Sequence, residues 1–383
     1  MLAERGHQVD VFCAGDRDER IIDAGVAVTS IVATRSAFAD AVRTPFADHH
    51  RACPFDVVEG PEYGADGACI HRDFPDVPLV VRLHTSSSII GKINNSYMSL
   101  SSKVRFVIGG LRRGKVATPY WRAGSPLNDP ERAHTLDANL IVAPSEAIRE
   151  KLGKDWGLPP DRMMVVPNVF VPPPALFSLD PERQTRNVLF LGKLEVRKGV
   201  LELARAVPLV VREFPDARFV FVGRSLPMPG TNVLVGEMMR RAYSNASHRV
   251  THLDAVPYQQ VPVLFRDAAL AVFPSTWENF PNVTLEAMSA ACGVVGSSAG
   301  GMAEMIEHGR TGLLVPPRDH RAIADAIIEL LREPEKRITM GKAARAQVTK
   351  VYSPEMIGPL QEASYDLAID RARTRAKLGS LSA

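Results

Sequence analysis

Phe273-Pro-Ser-Thr-Trp-Glu278-Asn-Phe-Pro-Asn-Val-Thr-Leu-Glu286-Ala-Met288 is the stretch that decides the reading of this chain. A short apolar run, Ala269 to Phe273, predicts a strand, and it leads into a loop that carries Glu278. The residues from Asn282 to Ala290 read as a helix, and that helix carries Glu286. In an open parallel sheet, ligands gather at the carboxyl ends of the strands. Both carboxylates are therefore expected beside one crevice, Glu278 at its rim and Glu286 about a turn inside the helix. If helical rise held between them, eight residues would span roughly 12 Å. That separation suits two ends of one extended ligand and is too long for two carboxyls sharing a proton.

Outward from this stretch, the second half alternates between short apolar strands and helical segments. Strands are expected at 187–191, 218–222, 250–253, 269–273, 294–297 and 312–315, with a helix over 199–213. Such alternation predicts a parallel, doubly wound α/β sheet. The first half has the same grammar, with strands expected at 8–13, 26–32, 56–59, 79–83, 140–143 and 164–166. Val171-Pro-Pro-Pro-Ala175 reads as a hinge stiffened toward polyproline II. A long helical tail is expected over 355–377.

Three motifs in order resemble one known family. The Glu278 to Glu286 spacing resembles the E-x7-E signature of retaining glycosyltransferases of family 4, the group 1 type, whose fold is GT-B. Gly192-Lys193-Leu-Glu-Val-Arg197-Lys198-Gly199 resembles that family's G-R/K-x-x-x-x-K-G donor loop. Gly300-Gly301-Met-Ala-Glu304, followed by His308-Gly-Arg-Thr-Gly312, resembles its second donor-side signature. The resemblance implies two Rossmann-like domains facing a cleft. The expected divisions are an acceptor-side domain over 1–170, a hinge over 171–185, a donor domain over 186–353, and a helix over 354–383 returning to the first domain. It also implies that the N-terminal domain stands here without its first, central strand and Gly-rich loop. Leu2-Ala-Glu-Arg-Gly6-His7 already reads as a helix end and glycine stop before a strand. A truncated gene model and a degenerate member both fit that expectation.

The residues themselves support a donor site. Lys193 and Lys198 flank a strand-to-helix turn, where cations and free N–H groups together make an anion site. Taken alone, the two lysines read more readily as solvated surface charges. In the resembled family the matching positions bind the donor diphosphate without a bound metal and neutralise leaving-group charge. Lysine stands at 193 where arginine is common, which keeps the charge and loses the bidentate fork. Arg197 is adjacent to Lys198. A carboxylate suits a vicinal diol because its two oxygens accept both hydroxyl protons. The resemblance gives Glu286 the nucleotide ribose and Glu278 the transferred sugar. Backbone amides near Asn279 and Phe280, and those of Gly300, Gly301 and Met302, are further candidates for gripping the donor. The chain departs from the family at Ala291-Cys292-Gly293, where G-x-P is usual, and this predicts altered turn geometry with the chemistry kept.

On the acceptor side, His84 follows the apolar run 79–83 at a ligand position. It fits a core histidine as well as the family histidine that faces the sugar and acceptor. The role implied is stabilising rather than nucleophilic. Glu62 in Gly60-Pro-Glu-Tyr-Gly64 is a weaker acceptor-side candidate. From Ser86 to Asn128 the chain has seven basic residues (Lys92, Lys103, Arg105, Arg112, Arg113, Lys115 and Arg122) and no acid, with Phe106, Val107, Ile108 and Leu111 among them. Peripheral contact with an anionic membrane through 92–122, an anionic glycan, and a solvated helix face all fit this stretch.

Composition bounds the rest. A chain of 383 residues with 45% hydrophobic and 23% charged residues fits two globular domains. A net charge of +3 gives no reason to expect nucleic acid. No apolar run is long enough to span a membrane, and the N-terminal residues lack a signal-peptide core, so the expected setting is cytoplasmic. Cys13, Cys53, Cys69 and Cys292 have no ligand spacing and read as buried fillers. No metal or cofactor is expected. The expected reaction moves a hexosyl group from a nucleoside-diphosphate sugar to a hydroxyl of a glycan, lipid-linked or small-molecule acceptor. Bacterial cell-surface polysaccharide biosynthesis is the default setting. A nucleotide-sugar epimerase, a phosphorylase and a non-catalytic sugar-nucleotide binder stay open as alternatives.

Overall fold

The computed structural model describes residues 1–112 and 128–381. The chain forms two compact units. The first comprises Met1–Ser87, Gly124–Val169 and Pro354–Ala383; the second comprises Ser88–Ala123 and Phe170–Ser353.

The second unit is built on six parallel strands: β8 (Asn187–Leu191), β9 (Arg218–Val222), β10 (Val250–Leu253), β11 (Leu270–Phe273), β12 (Gly293–Ser297) and β13 (Leu313–Val315). Their spatial order is β10-β9-β8-β11-β12-β13. The chain therefore reverses direction across the sheet between β8 and β11, which is the switch point where such sheets bind ligands. Strand side chains alternate between faces. Val188, Phe190, Leu270 and Val272 pack under the helices Val200–Glu213 and His320–Arg332. Leu189, Ala271 and Phe273 pack on the other face, under Asn282–Ser289 and Pro334–Val351. Because both faces are covered, the strands read as continuous apolar runs. Each fully buried Leu or Phe is worth about 1.5–3 kcal/mol.

The expected proline hinge is only partly extended. Pro174 opens a one-turn helix, Pro174–Phe177, as proline's fixed φ allows at a first helical position. Leu176 is buried in the second unit's core. Ala291, which replaces the expected glycine, takes a left-handed φ of 48°. At Gly293 a Cβ would come within 2.7 Å of both Arg337 Cγ and Leu270 Cδ2, so the absence of a side chain there makes room for Arg337.

The first unit holds two separate sheets. Strands β1 (Val9–Gly15), β2 (Glu19–Asp23) and β3 (Val26–Val32) lie in the order β1-β3-β2, with β2 antiparallel. Strands β4 (Val58–Pro61), β5 (Leu79–Arg82), β6 (Leu140–Ala143) and β7 (Met163–Val165) form a parallel sheet in sequence order. Strands β1 and β4 each end their sheet, and a cavity of about 560 Å³ lies between residues 10–14 and 57–61. The cavity separates the open edges of the two sheets. An aromatic cluster around Phe46, with Phe55 at 5.0 Å and Phe74 at 5.4 Å, packs on one side of it. The terminal helix Pro354–Leu381 lays Ile357 and Ala368 on Val80, Leu140 and Val142. Its Gln361 hydrogen-bonds to Arg82, which also pairs with Glu59 at 2.8 Å.

The cysteines depart from expectation. Only Cys292 is buried; Cys13 and Cys69 are half-buried and Cys53 is exposed, and all four are free. Cys53 sits at the carboxyl end of the helix Arg43–Ala52 and is not drawn into a core.

Candidate functional site

The loops after β8 and β11 meet at the switch point. The β8 loop ends in a tight turn at Gly199, whose φ is +68°. A Cβ there would lie 1.9 Å from the carbonyl oxygen of Pro274, so only glycine lets the two loops approach this closely. The amide of Thr276 donates to the Arg197 carbonyl at 2.8 Å and fastens the same contact. The result places three donors around one carboxylate oxygen. Lys198 Nζ ion-pairs with Glu278 Oε1, Arg197 Nη1 lies 3.0 Å from it, and Ser275 Oγ donates at 3.3 Å. Arg197 also pairs with Glu195 at 2.8 Å.

Glu278 is buried. Burial pushes its carboxyl up, and the charges of Lys198 and Arg197, with hydrogen bonds from Lys198 and Ser275, more than reverse that push. The group is held below the usual carboxylate range and stays ionised. Its carbonyl accepts from Gly301 N at 2.9 Å. Gly300, at φ +74°, allows this approach, since a Cβ there would meet the Glu278 carbonyl oxygen at 2.0 Å.

Glu286 is the fifth residue of the helix Asn282–Ser289 and is also buried. Among the described residues no side chain or amide donates to its carboxylate, and burial alone raises its carboxyl to about 7. A buried carboxylate with no donor is costly unless something else satisfies it. The segment between the two acids is not one helix. Glu278 forms a parallel bridge with Gly300, and helix begins only at Asn282.

The other expected donor-side residues divide. Lys193 is exposed and stands outside the Glu278 cluster. Asn279 is buried beside Glu278. Phe280 turns its ring edge-on to Tyr352 at 5.4 Å. The Gly301 amide is already used by the Glu278 carbonyl, and Met302 is fully buried, its sulfur accepting from Ser297 N at 3.1 Å. Gly301 therefore spends its amide on the turn, and the Met302 side chain packs in the core.

In the first unit, His84 and Glu62 come together. Glu62 is wholly buried, and its Oε2 accepts from the His84 backbone N–H at 2.7 Å. His84 Nδ1 lies 3.2 Å from the same oxygen and 3.0 Å from the Arg82 carbonyl. Both partners are acceptors, so Nδ1 carries the hydrogen and Nε2 is left to face outward on a half-exposed ring. Burial pulls the imidazole pKa down, and the hydrogen bond and charge of Glu62 raise it further, above its ordinary value. Glu62 thus departs from its expected place as an acceptor contact. It is sealed from solvent and positions His84.

Two supports were not foreseen. Glu131 is buried and ties the Gly64 amide at 3.1 Å to Ser87, whose hydroxyl donates to it at 2.7 Å. It thereby braces the loops that carry Glu62 and His84. Its signal in sequence was the Asp129-Pro130-Glu131 helix start, which reads as capping alone. Within the second unit, the Tyr97 hydroxyl bonds Thr276 Oγ1 at 3.1 Å and donates to buried Glu202 at 3.4 Å. Arg318 stacks over the Tyr97 ring at 4.5 Å. No local pattern marks that long-range contact.

Comparison with known proteins bears on the family and the fold. Residues 1–170 match the family described as Glycosyltransferase Family 4, and residues 185–333 match Glycosyl transferases group 1. Glycogen synthase of Mycobacterium tuberculosis is 30% identical over 44% of this chain; the match spans 39% of that relative, well under two thirds of its length. D-inositol 3-phosphate glycosyltransferase of Corynebacterium diphtheriae is 25% identical over 90% of this chain and 82% of its own. The solved structure of sucrose-phosphate synthase from Thermosynechococcus elongatus matches with a TM-score of 0.68 at 21% identity, covering 99% of this chain and 91% of that one. At that identity the likeness speaks for the fold alone. The chain belongs to the group 1, family 4 glycosyltransferases and has their GT-B fold.

Proposed function

We propose that this chain transfers a hexosyl group from a nucleoside-diphosphate sugar to an acceptor hydroxyl, with retention of anomeric configuration and without a metal or resident cofactor. The observation that carries this reading is the cluster of Lys198 and Arg197 on Glu278 at the switch point. The two cations are balanced by Glu278 and Glu195, and they offer a diphosphate fixed, charged N–H donors. Lys193, exposed on the same loop, adds a third cation.

In this reading Glu286 takes the ribose hydroxyls, which supply the donors its buried carboxylate lacks. Glu278 orients the sugar. Its Oε1 already accepts from three groups, which supports an orienting role over attack on the anomeric carbon. Asn279, Phe280, Gly300, Gly301 and Met302 shape the donor pocket. As the glycosidic bond breaks, Lys198 stabilises charge on the leaving phosphate, and that phosphate takes the acceptor proton on the same face of the sugar. His84, set by Glu62, is assigned to the acceptor side as a stabilising group. Catalysis rests on positioning and preorganised charge.

The acceptor class we favour is a glycan or lipid-linked hydroxyl in cell-surface glycan synthesis, which sets the enzyme in the cytoplasm and peripherally at the inner face of the membrane. The test is proton NMR of donor turnover with UDP-, GDP- and ADP-hexoses in a chelator. The expected result is nucleoside diphosphate release, with the sugar first appearing in the donor's own anomeric form. An inverted product, or an epimerised donor without nucleotide release, would overturn the reading.

A further inference from the structure

The helix Leu100–Arg112 is built inside out. At 100° per residue, Leu100, Val104, Val107, Ile108 and Leu111 fall within an arc of roughly 100° on one side. All five are exposed, from 44% at Val107 to 78% at Leu100. Ser102 and Gly110, on the opposite side, are buried. A helix of a soluble domain turns its aliphatic stripe inward and its small polar residues outward. This one does the reverse, and an apolar stripe of this kind marks an interaction site.

The flanks of the stripe say what covers it. Lys103 borders one edge, and Arg105 and Arg112 border the other. No acid occurs between Ser86 and Asn128, so nothing in this stretch offsets them. An aliphatic strip with cations along both margins matches the boundary between acyl chains and anionic headgroups. A second copy of the chain fits less well, because pairing two such stripes sets cation against cation. Among the described residues no helix is long and apolar enough to cross a membrane, so the helix would lie in the interface.

We propose that this helix is a membrane-docking element: its stripe enters the surface of an anionic bilayer while Lys103, Arg105 and Arg112 hold the headgroups. The inference deepens the proposed peripheral placement and rests on it only for its biological setting. Lipid binding and sugar transfer are read separately, so either can fail alone.

The test is co-sedimentation with vesicles of phosphatidylcholine mixed with phosphatidylglycerol, and with phosphatidylcholine alone. The intact chain should bind the anionic vesicles and lose that binding in high salt. The triple variant Lys103→Gln, Arg105→Gln, Arg112→Gln should bind them about a hundredfold more weakly, from three cations each contributing near the surface. Val107→Glu with Ile108→Glu should abolish binding. Lys103 is half-buried and the other four side chains are exposed, so thermal melting and nucleoside diphosphate binding should be unchanged and report an intact fold. Equal binding to both vesicle types, or none to either, overturns the proposal. So does a dimer in sedimentation velocity that the Ile108→Glu change dissolves, which would assign the stripe to a second copy.

Discussion

Lys198 and Glu278 pair across the switch point of the second unit's sheet, one from the loop after β8 and one from the loop after β11. The pair is made possible by Gly199, which brings the two loops into backbone contact. It also sets the charge of the site. Glu278 remains an anion although it is buried, and its charge is set by the two cations that pair with it.

Lys198→Met should therefore cut donor turnover by about a hundredfold or more, the usual effect of losing a preorganised charge at a leaving group. The fold should survive, because Arg197 and Ser275 still serve Glu278. Nucleotide-release kinetics and thermal melts check the two halves. Unchanged turnover would remove Lys198 from the chemistry.

Gly199→Ala should destabilise the second unit by about 2 kcal/mol or more, since it adds left-handed strain to a collision with the Pro274 carbonyl. Denaturant unfolding measures this. A loss of only a few tenths would mean that the two loops separate easily.

Glu286 predicts a pH dependence with a definite sign. Its carboxyl is raised from 4.5 to about 7 in the folded chain. Below pH 4.5 it is neutral in both folded and unfolded states. As pH rises from there to about 7, only the unfolded chain ionises, so folding stability falls, by about 3 kcal/mol from this group. Glu286→Gln should remove that loss. The variant should melt above the intact chain at pH 8 and near it at pH 4.5, while binding nucleotide more weakly. If ribose hydroxyls meet the carboxylate, nucleotide binding near pH 6 should also release a proton. Calorimetry in buffers of different ionisation enthalpy reads that proton directly.

His84 and Glu62 give a spectroscopic test. Burial lowers the imidazole pKa and Glu62 raises it, and the balance stands above 6.5. In Glu62→Gln the charge is gone and burial remains, so the NMR titration of His84 should move to below 6.5. Because the folded pKa is raised, this interaction stabilises the fold at low pH, and the stability is lost as pH rises through the folded value. An unmoved titration in the variant would contradict the positioning role.

The second unit was legible from sequence because its inner strands are covered on both faces. Asn187–Leu191 and Arg218–Val222 coincide with the expected runs for that reason. The edge strand Glu19–Asp23 was missed because all five of its residues are exposed and leave no apolar pattern. At the site, residue identity and spacing pointed to Lys198, Glu278 and Glu286. They did not reveal that Glu62 faces inward to His84, that Glu131 braces both loops, or that Tyr97 reaches Thr276. Those contacts join residues far apart in the chain, and each depends on the packing of whole elements.

The most direct test of the central claim is a calorimetric titration of UDP, GDP and ADP, in chelator, into the intact chain, Lys198→Met and Glu286→Gln. The account predicts that at least one nucleoside diphosphate binds the intact chain without metal, and that each substitution weakens it by about tenfold or more. Absence of binding by all three nucleotides, or affinity untouched by both substitutions, would contradict it.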